Sequence, residues 1–190
     1  MNSAVSSPKI PESVLVVIHT GDARVLLLER ADHPGFWQSV TGSRHTLDEP
    51  LADTCRREVM EETGIDAGAL PLTDWGVTNR YEIYPHWRHR YAPGVTHNTE
   101  HVFGLRLPAP VPVRLAPREH LQYAWLPWEE AAGRCFSWSN VQAIRMLPER
   151  LAAGGGDGRD GKNGPVGVDA AGRPPGANGP DGPHGPGGRA

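Results

Sequence analysis

The stretch Arg57-Glu58-Val59-Met60-Glu61-Glu62-Thr63-Gly64-Ile65 decides how this chain is read. It places three carboxylates within five residues, just after an arginine and just before a glycine. On a helix, Glu58 and Glu62 lie one turn apart and Glu61 is three residues from Glu58, so all three side chains reach one region of space. Like charges that close repel, and a hard divalent cation with oxygen ligands resolves the repulsion. Taken alone, the same residues also read as a solvated acidic helix face.

The flanking sequence favours the metal reading. A helix is predicted from Pro50 to Thr63. Pro50 suits its first turn, and Asp48, Glu49 and Asp53 suit the positive end of the helix dipole. Gly64 is placed to end it with a left-handed cap. Leu51, Cys55 and Val59 recur every four residues, the stripe that packs on a sheet. Glu58 and Glu62 border that stripe, at the seam between helix and sheet.

Further out, Ser13 to Thr20 and Val25 to Glu29 read as a hairpin about the turn Gly21-Asp22. Phe36 to Val40 reads as a short strand leading to a turn at Gly42. Trp75 to Ile83, His101 to Leu107 and Gln122 to Leu126 read as further strands. A short helix is expected from Pro127 to Gly133 and one amphipathic helix from Asn140 to Leu151. The segment Tyr84 to Asn98 is long, irregular and poor in apolar residues, which in a compact domain points to function. The domain therefore spans 11–153, an α/β fold, after a flexible arm at 1–10. From Gly154 to Ala190 the chain is mostly Gly, Pro, Asp, Asn and Arg, with Val166 and Val168 the only larger apolar residues. It is expected to be a disordered tail, because it buries too little surface to offset its ordering entropy.

The 190 residues carry a formal net charge of −3. That excludes a general basic field for nucleic acid, so an anionic substrate must be met by local arginines and a metal. The only lysines, Lys9 and Lys162, lie outside the expected core, which leaves arginine as its cation. Cys55 and Cys135 are expected to be free thiols in a soluble, cytoplasmic protein, with Cys55 packed in the core. The N-terminus has no signal pattern, and the apolar run from Val14 to Ile18 is too short for a membrane span. No oligomeric state is assigned.

Hairpin, glycine turn, carboxylate helix and further strands, in that order, resemble the Nudix hydrolases. Their signature is G-x5-E-x7-R-E-U-x-E-E-x-G-U, with U a bulky apolar residue. Arg57, Glu58, Val59, Glu61, Glu62, Gly64 and Ile65 fill its second half, and Glu49 stands eight residues before Arg57 as the pattern asks. Gly42 lies seven residues before Glu49 instead of six. The reading adopted is one extra residue in the loop Ser43 to Asp48; the other is that Asp48 takes the glutamate's place. The resemblance implies a mixed sheet sandwiched between helices. The runs Phe36 to Ser43, Arg88 to Thr96, Asn98-Thr99-Glu100 and Ser137 to Asn140 resemble the folate-pathway branch of that family, whose substrate is 7,8-dihydroneopterin triphosphate.

Phosphoanhydride hydrolysis needs shielded charge, an activated water and a stabilised leaving phosphate, all of which Mg²⁺ can supply, with Mn²⁺ as an alternative. Glu58 and Glu62 are the principal candidate ligands, with Glu61 a third candidate or a solvent-facing residue that tunes charge. The resemblance implies that Arg57 orients a glutamate, Glu49 or Glu61. It also implies that Glu119 is the general base or a further metal ligand, with His120 the other candidate base. Arg88, His89 and Arg90 are candidates for the triphosphate. Trp37 or Tyr91 can stack on a ring, and Ser137, Trp138 and Asn140 can present polar groups to it, while each tryptophan taken singly also reads as core packing. The substrate the resemblance implies is 7,8-dihydroneopterin triphosphate; the alternative is a nucleoside triphosphate such as dATP or oxidised dGTP. A silent nucleotide-sensing domain is the reading of a different class.

Overall fold

The computed structural model describes residues 8–154. Residues 1–7 of the expected arm and 155–190 of the expected tail lie outside it. Seven strands form one mixed sheet: β1 (Glu12–Thr20), β2 (Arg24–Arg30), β3 (Trp37–Gln38), β4 (Val40–Ser43), β5 (Leu72–Glu82), β6 (His97–Leu107) and β7 (His120–Pro127). β1 runs parallel to β6 over its whole length, Glu12 against Thr99 through Thr20 against Leu107. Its other edge is shared. The end near His19 pairs with β2, while Ser13 to Val16 pair antiparallel with β4, Ser43 to Val40. β7 closes on β2, and β5 lies outside β6.

The alternation along β1 builds two cores. Val14, Val16 and Ile18 face helix α1 (Leu51–Thr63), where they meet Cys55 and Val59. Leu15 and Val17 face the opposite side. There they meet Ala131 and Ala132 of α2 (Trp128–Arg134), Ala143 and Ile144 of α3 (Trp138–Arg145), and Leu147 of α4 (Leu147–Gly154). A strand covered on both faces must be apolar throughout, which explains the run VLVVI. Each such side chain taken out of water contributes roughly 1.5–3 kcal/mol. The result is the helix–sheet–helix sandwich.

Three expectations change. The amphipathic helix is two, α3 and α4, divided at Met146, because Pro148 has no N–H to continue the helical hydrogen-bond ladder. β6 starts at His97, not His101, so Asn98 and Glu100 are strand residues paired with Tyr81 and Asn79 of β5. Lys9 is exposed and outside both apolar cores, but the arm expected to be flexible is tied down there. Lys9 pairs with Tyr91, and its N–H donates to the Arg90 carbonyl at 2.8 Å. Between β5 and β6 the irregular segment holds a 3₁₀ turn, Pro85–Arg90. Both cysteines are free, and burial raises both thiol pKa values.

Candidate active site

α1 enters from Pro50 in extended backbone and ends where Gly64, at φ 69°, donates its N–H to the Met60 carbonyl. Glu58 and Glu62 then look toward the N-terminal end of β1 and the start of β7. Arg57 ties the helix to the preceding loop. Its Nε donates to Glu49 Oε1 at 2.9 Å, its Nη2 to Glu49 Oε2 at 3.3 Å and to the Ser43 carbonyl at 2.9 Å. Its Nη1 donates to Glu58 at 2.7 Å and, more weakly, to Glu61 at 3.4 Å. Glu49 also accepts from the His45 N–H, and the arginine holds its pKa down at about 2. Asp48 is exposed. The side chain reaching Arg57 is thus Glu49, with the extra residue absorbed in the loop.

Glu58 is held by space as well as by charge. A side chain at Gly42 of β4 would occupy the position of the Glu58 carboxylate, so the glycine is required by close approach and not by a special dihedral. Burial raises the pKa of Glu58. Glu62 is deeper. Its side chain is 5% exposed and pairs with His120, Nε2 to Oε2 at 3.0 Å. Burial, opposed by His120, pushes Glu62 up to about 7. The Nδ1 of His120 is buried without a hydrogen-bond partner among the described residues. Arg118 adopts φ 73°, which turns the chain so that Glu119 and His120 arrive beside Glu62. Ligand atoms of Glu62, Glu119 and His120 lie within 4.8 Å of one another. Glu61 is the outlying carboxylate, half exposed beside Arg57.

These carboxylates border one large open cleft, which also takes in the 3₁₀ turn and the start of α3. Arg90, Tyr91, Ser137, Trp138 and Asn140 line it. Asn140 is buried, accepts the Ser39 N–H at 2.7 Å and donates to Ser137, so it braces β3–β4 against α3. Trp37 does not line the cleft. Its ring lies in the core under α2, with the Arg134 guanidinium 4.9 Å from its centroid, because its strand alternates inward at that position. Arg88 is bound to Glu82 and the Ile83 carbonyl, and His89 to the His86 carbonyl, so both are turned into their own loop. Arg57 acts behind the cleft wall.

Sequence reasoning gave no site role to Arg30 or Lys9, both of which line the cleft. Arg30 stacks between Trp87 and Phe136, at 5.3 and 5.7 Å from the ring centroids. Lys9 has Arg90, Glu58, Glu119 and Glu62 as charged neighbours. Glu100 and Asn98 are buried polar residues of β6. That last pair lies in the run Asn98-Thr99-Glu100, which the sequence had already singled out, and its period-two polarity fits a strand.

The NUDIX domain pattern matches residues 9–146. The chain belongs to the Nudix family. A dihydroneopterin triphosphate diphosphatase of Escherichia coli K12 is 50% identical over 142 residues, 73% of this chain and 93% of that protein. One from Haemophilus influenzae is 41% identical over 138 residues, 70% of this chain and 85% of that protein. The solved E. coli dihydroneopterin triphosphate pyrophosphohydrolase superposes with a TM-score of 0.69 at 47% identity, covering 76% of this chain and 99% of that one. Nudix hydrolases generally use a divalent metal, and the acidic group at Glu62 is a donor set of that kind. The fit is physical. Hard cations take carboxylate oxygens, and the buried Glu62 and half-buried Glu58, both with pKa values raised by desolvation, favour a positive partner. Among the described residues no helix is long and apolar enough to cross a membrane.

Proposed function

We propose that this Nudix chain hydrolyses 7,8-dihydroneopterin triphosphate, with water, to dihydroneopterin monophosphate and pyrophosphate, using Mg²⁺ or in its place Mn²⁺. The observation that carries the reading is the 50% identity over nearly the whole of a relative bearing that activity's name. The cleft supports it, since it joins a carboxylate cluster to aromatic and polar walls suited to a ring.

Glu58, Glu62 and Glu119 would hold the ion, which when bound shields the phosphate oxygens and lowers the pKa of water. The remaining work falls to the chain. Arg57 locks the Glu58 carboxylate against β4. His120 fixes the orientation of Glu62. Glu119, exposed on the cleft wall, takes the proton from the attacking water. Arg90 and Lys9 neutralise the phosphate chain, while Arg30, its fork engaged by Asp32 and Gln38, holds the aromatic wall of Trp87 and Phe136. Tyr91 and Trp138 line the space for the ring. Glu61 tunes charge at the rim.

The test compares rates on dihydroneopterin triphosphate, dATP and oxidised dGTP in Mg²⁺, with product analysis. Pyrophosphate release from the pterin at the highest kcat/KM is expected. Faster turnover of either nucleotide would replace this substrate, and full activity in Glu58→Gln or Glu62→Gln would remove the metal assignment.

A further inference from the structure

Glu100 is a buried carboxylate that the hydrolytic chemistry does not use. It lies on β6, 4% exposed, on the cleft wall. Its partners are neutral: Asn79 donates at 3.2 Å, and the hydroxyls of Ser139 and Tyr81 approach it. Burying a carboxylate without a cation is costly, and burial raises its pKa. A carboxylate offers about four acceptor sites, and those three donors leave capacity toward the cleft.

The surroundings repeat the pattern. Asn98, two residues earlier and on the same face of β6, donates its amide to Ser13 Oγ at 2.7 Å and to the Tyr81 hydroxyl at 3.0 Å. Among the described residues its Oδ1 is left buried with no donor, and so is Gln142 Oε1 on α3. Both residues line the cleft. Three acceptors short of donors describe a wall built for a ligand rich in N–H groups.

We infer that Glu100, with Asn98 Oδ1 beside it, reads the adjacent ring N–H and amino group of a 2-amino-4-oxo pyrimidine edge and so sets the ring specificity of the cleft. That edge belongs to pterins and to guanine. Adenine and cytosine place a ring acceptor next to their amino group, and hypoxanthine lacks the amino group, so each leaves the carboxylate short of a donor. The inference rests on the proposed substrate for its pterin form, and on the wall alone for the edge.

Dihydroneopterin binding, followed by its own fluorescence, and turnover of dGTP against dITP separate the two levels. dGTP and dITP differ only in the 2-amino group. Wild-type protein is expected to favour dGTP by about 10-fold or more in kcat/KM, the size of one lost charge-assisted hydrogen bond. Glu100→Gln is expected to weaken dihydroneopterin binding about 10- to 100-fold and to bring the dGTP/dITP ratio toward one, because dGTP loses two contacts to the carboxylate and dITP, which keeps only the ring N–H, loses one. Equal wild-type rates on dGTP and dITP would overturn the inference whether or not the variant folds. A folded Glu100→Gln protein with unchanged dihydroneopterin affinity would also overturn it. Discrimination of dGTP from dITP without hydrolysis of dihydroneopterin triphosphate would overturn the proposed substrate and leave the edge reading standing.

Discussion

Gly42→Ala tests the placement of Glu58 without touching any charged group. A methyl at Gly42 would lie 1.9 Å from the Glu58 carboxyl carbon. Carbon atoms pack at about 3.5–4.0 Å, so the carboxylate must retreat by about 1.6 Å or more. The bridge from Arg57 to Glu58 is only 2.7 Å long, and such a retreat takes the carboxylate off the arginine. Misplacement on the order of 1 Å costs roughly 10²-fold in rate. Forcing a methyl into this packed seam costs about 1–3 kcal/mol, a fall in melting temperature of about 3–10 °C. The assay is kcat with Mg²⁺ titration at a temperature where the variant is fully folded, on wild type, Gly42→Ala, Glu58→Gln and the double variant. The single changes should each lose about 10²-fold or more. The double should lose little beyond Glu58→Gln, because both act on one carboxylate and their effects do not add. A Gly42→Ala protein with wild-type kcat and Mg²⁺ dependence would refute the reasoning, since Glu58 would then be free to work from elsewhere.

Three further outcomes follow from the same site. Glu49 has a depressed folded pKa of about 2, so its stabilisation is present above the unfolded value near 4.5 and is lost as pH falls from there toward 2. Allowing for its partial exposure, wild type should exceed Glu49→Gln by about 2 kcal/mol at pH 7, with the gap closing in thermal melts taken between pH 5 and 2. Glu62 shifts the other way: burial raises its folded pKa to about 7, so its ionisation costs stability as pH rises through the interval from about 4.5 to 7. In EDTA at pH 8, Glu62→Gln should therefore melt higher than wild type, near pH 4 the two should coincide, and Mg²⁺ should raise only the wild-type melting temperature. Trp37→Ala should destabilise by about 3–5 kcal/mol through its lost core contacts; Trp37→Phe, with a milder loss, should leave KM for the substrate unchanged.

What the sequence disclosed follows from how local each signal is. The α1 helix was legible because its apolar stripe, its acidic start and its glycine stop all lie within one short segment. β1 and β2 were legible because burial on both faces leaves little but apolar residues. The position of Glu49 followed from loop economy: an extra residue costs little in a loop, whereas a shifted helix would turn the whole apolar stripe. The start of β6 was hidden because its first residues are polar. His97 to Glu100 pair as a strand while two of their side chains supply the cleft wall, so composition there reports the ligand side and not the fold. For Trp37 the sequence left two readings open, ring stacking and core packing, and the core one holds. An aromatic beside a polar run looks like a stacking platform, and only the register Trp37 against Glu29 shows it turned inward. Lys9 and Arg30 reach the cleft through pairings with Arg90 and with two aromatic rings distant in sequence, which no local pattern encodes.

The two sides of β1 divide the labour of the cleft. Val14 lies beside Gly42, the position that receives Glu58, on the face covered by α1. Ser13, one residue away and therefore on the other face, lies beside Ser43 and Glu100. The carboxylates of α1 and the acceptors of β6 are thus separated by the thickness of the sheet, although their strands are only two spacings, about 10 Å, apart. Among the described residues neither set shares a hydrogen-bond partner with the other. Arg57 and His120 hold the first, while Asn79, Tyr81, Ser139 and Ser13 hold the second. Changes in groups that share no partner combine additively. The sheet end can therefore keep one hydrolytic reaction while the ring it accepts is altered from the other face, and altering Glu100 should change which triphosphate is chosen far more than how fast its anhydride is cut.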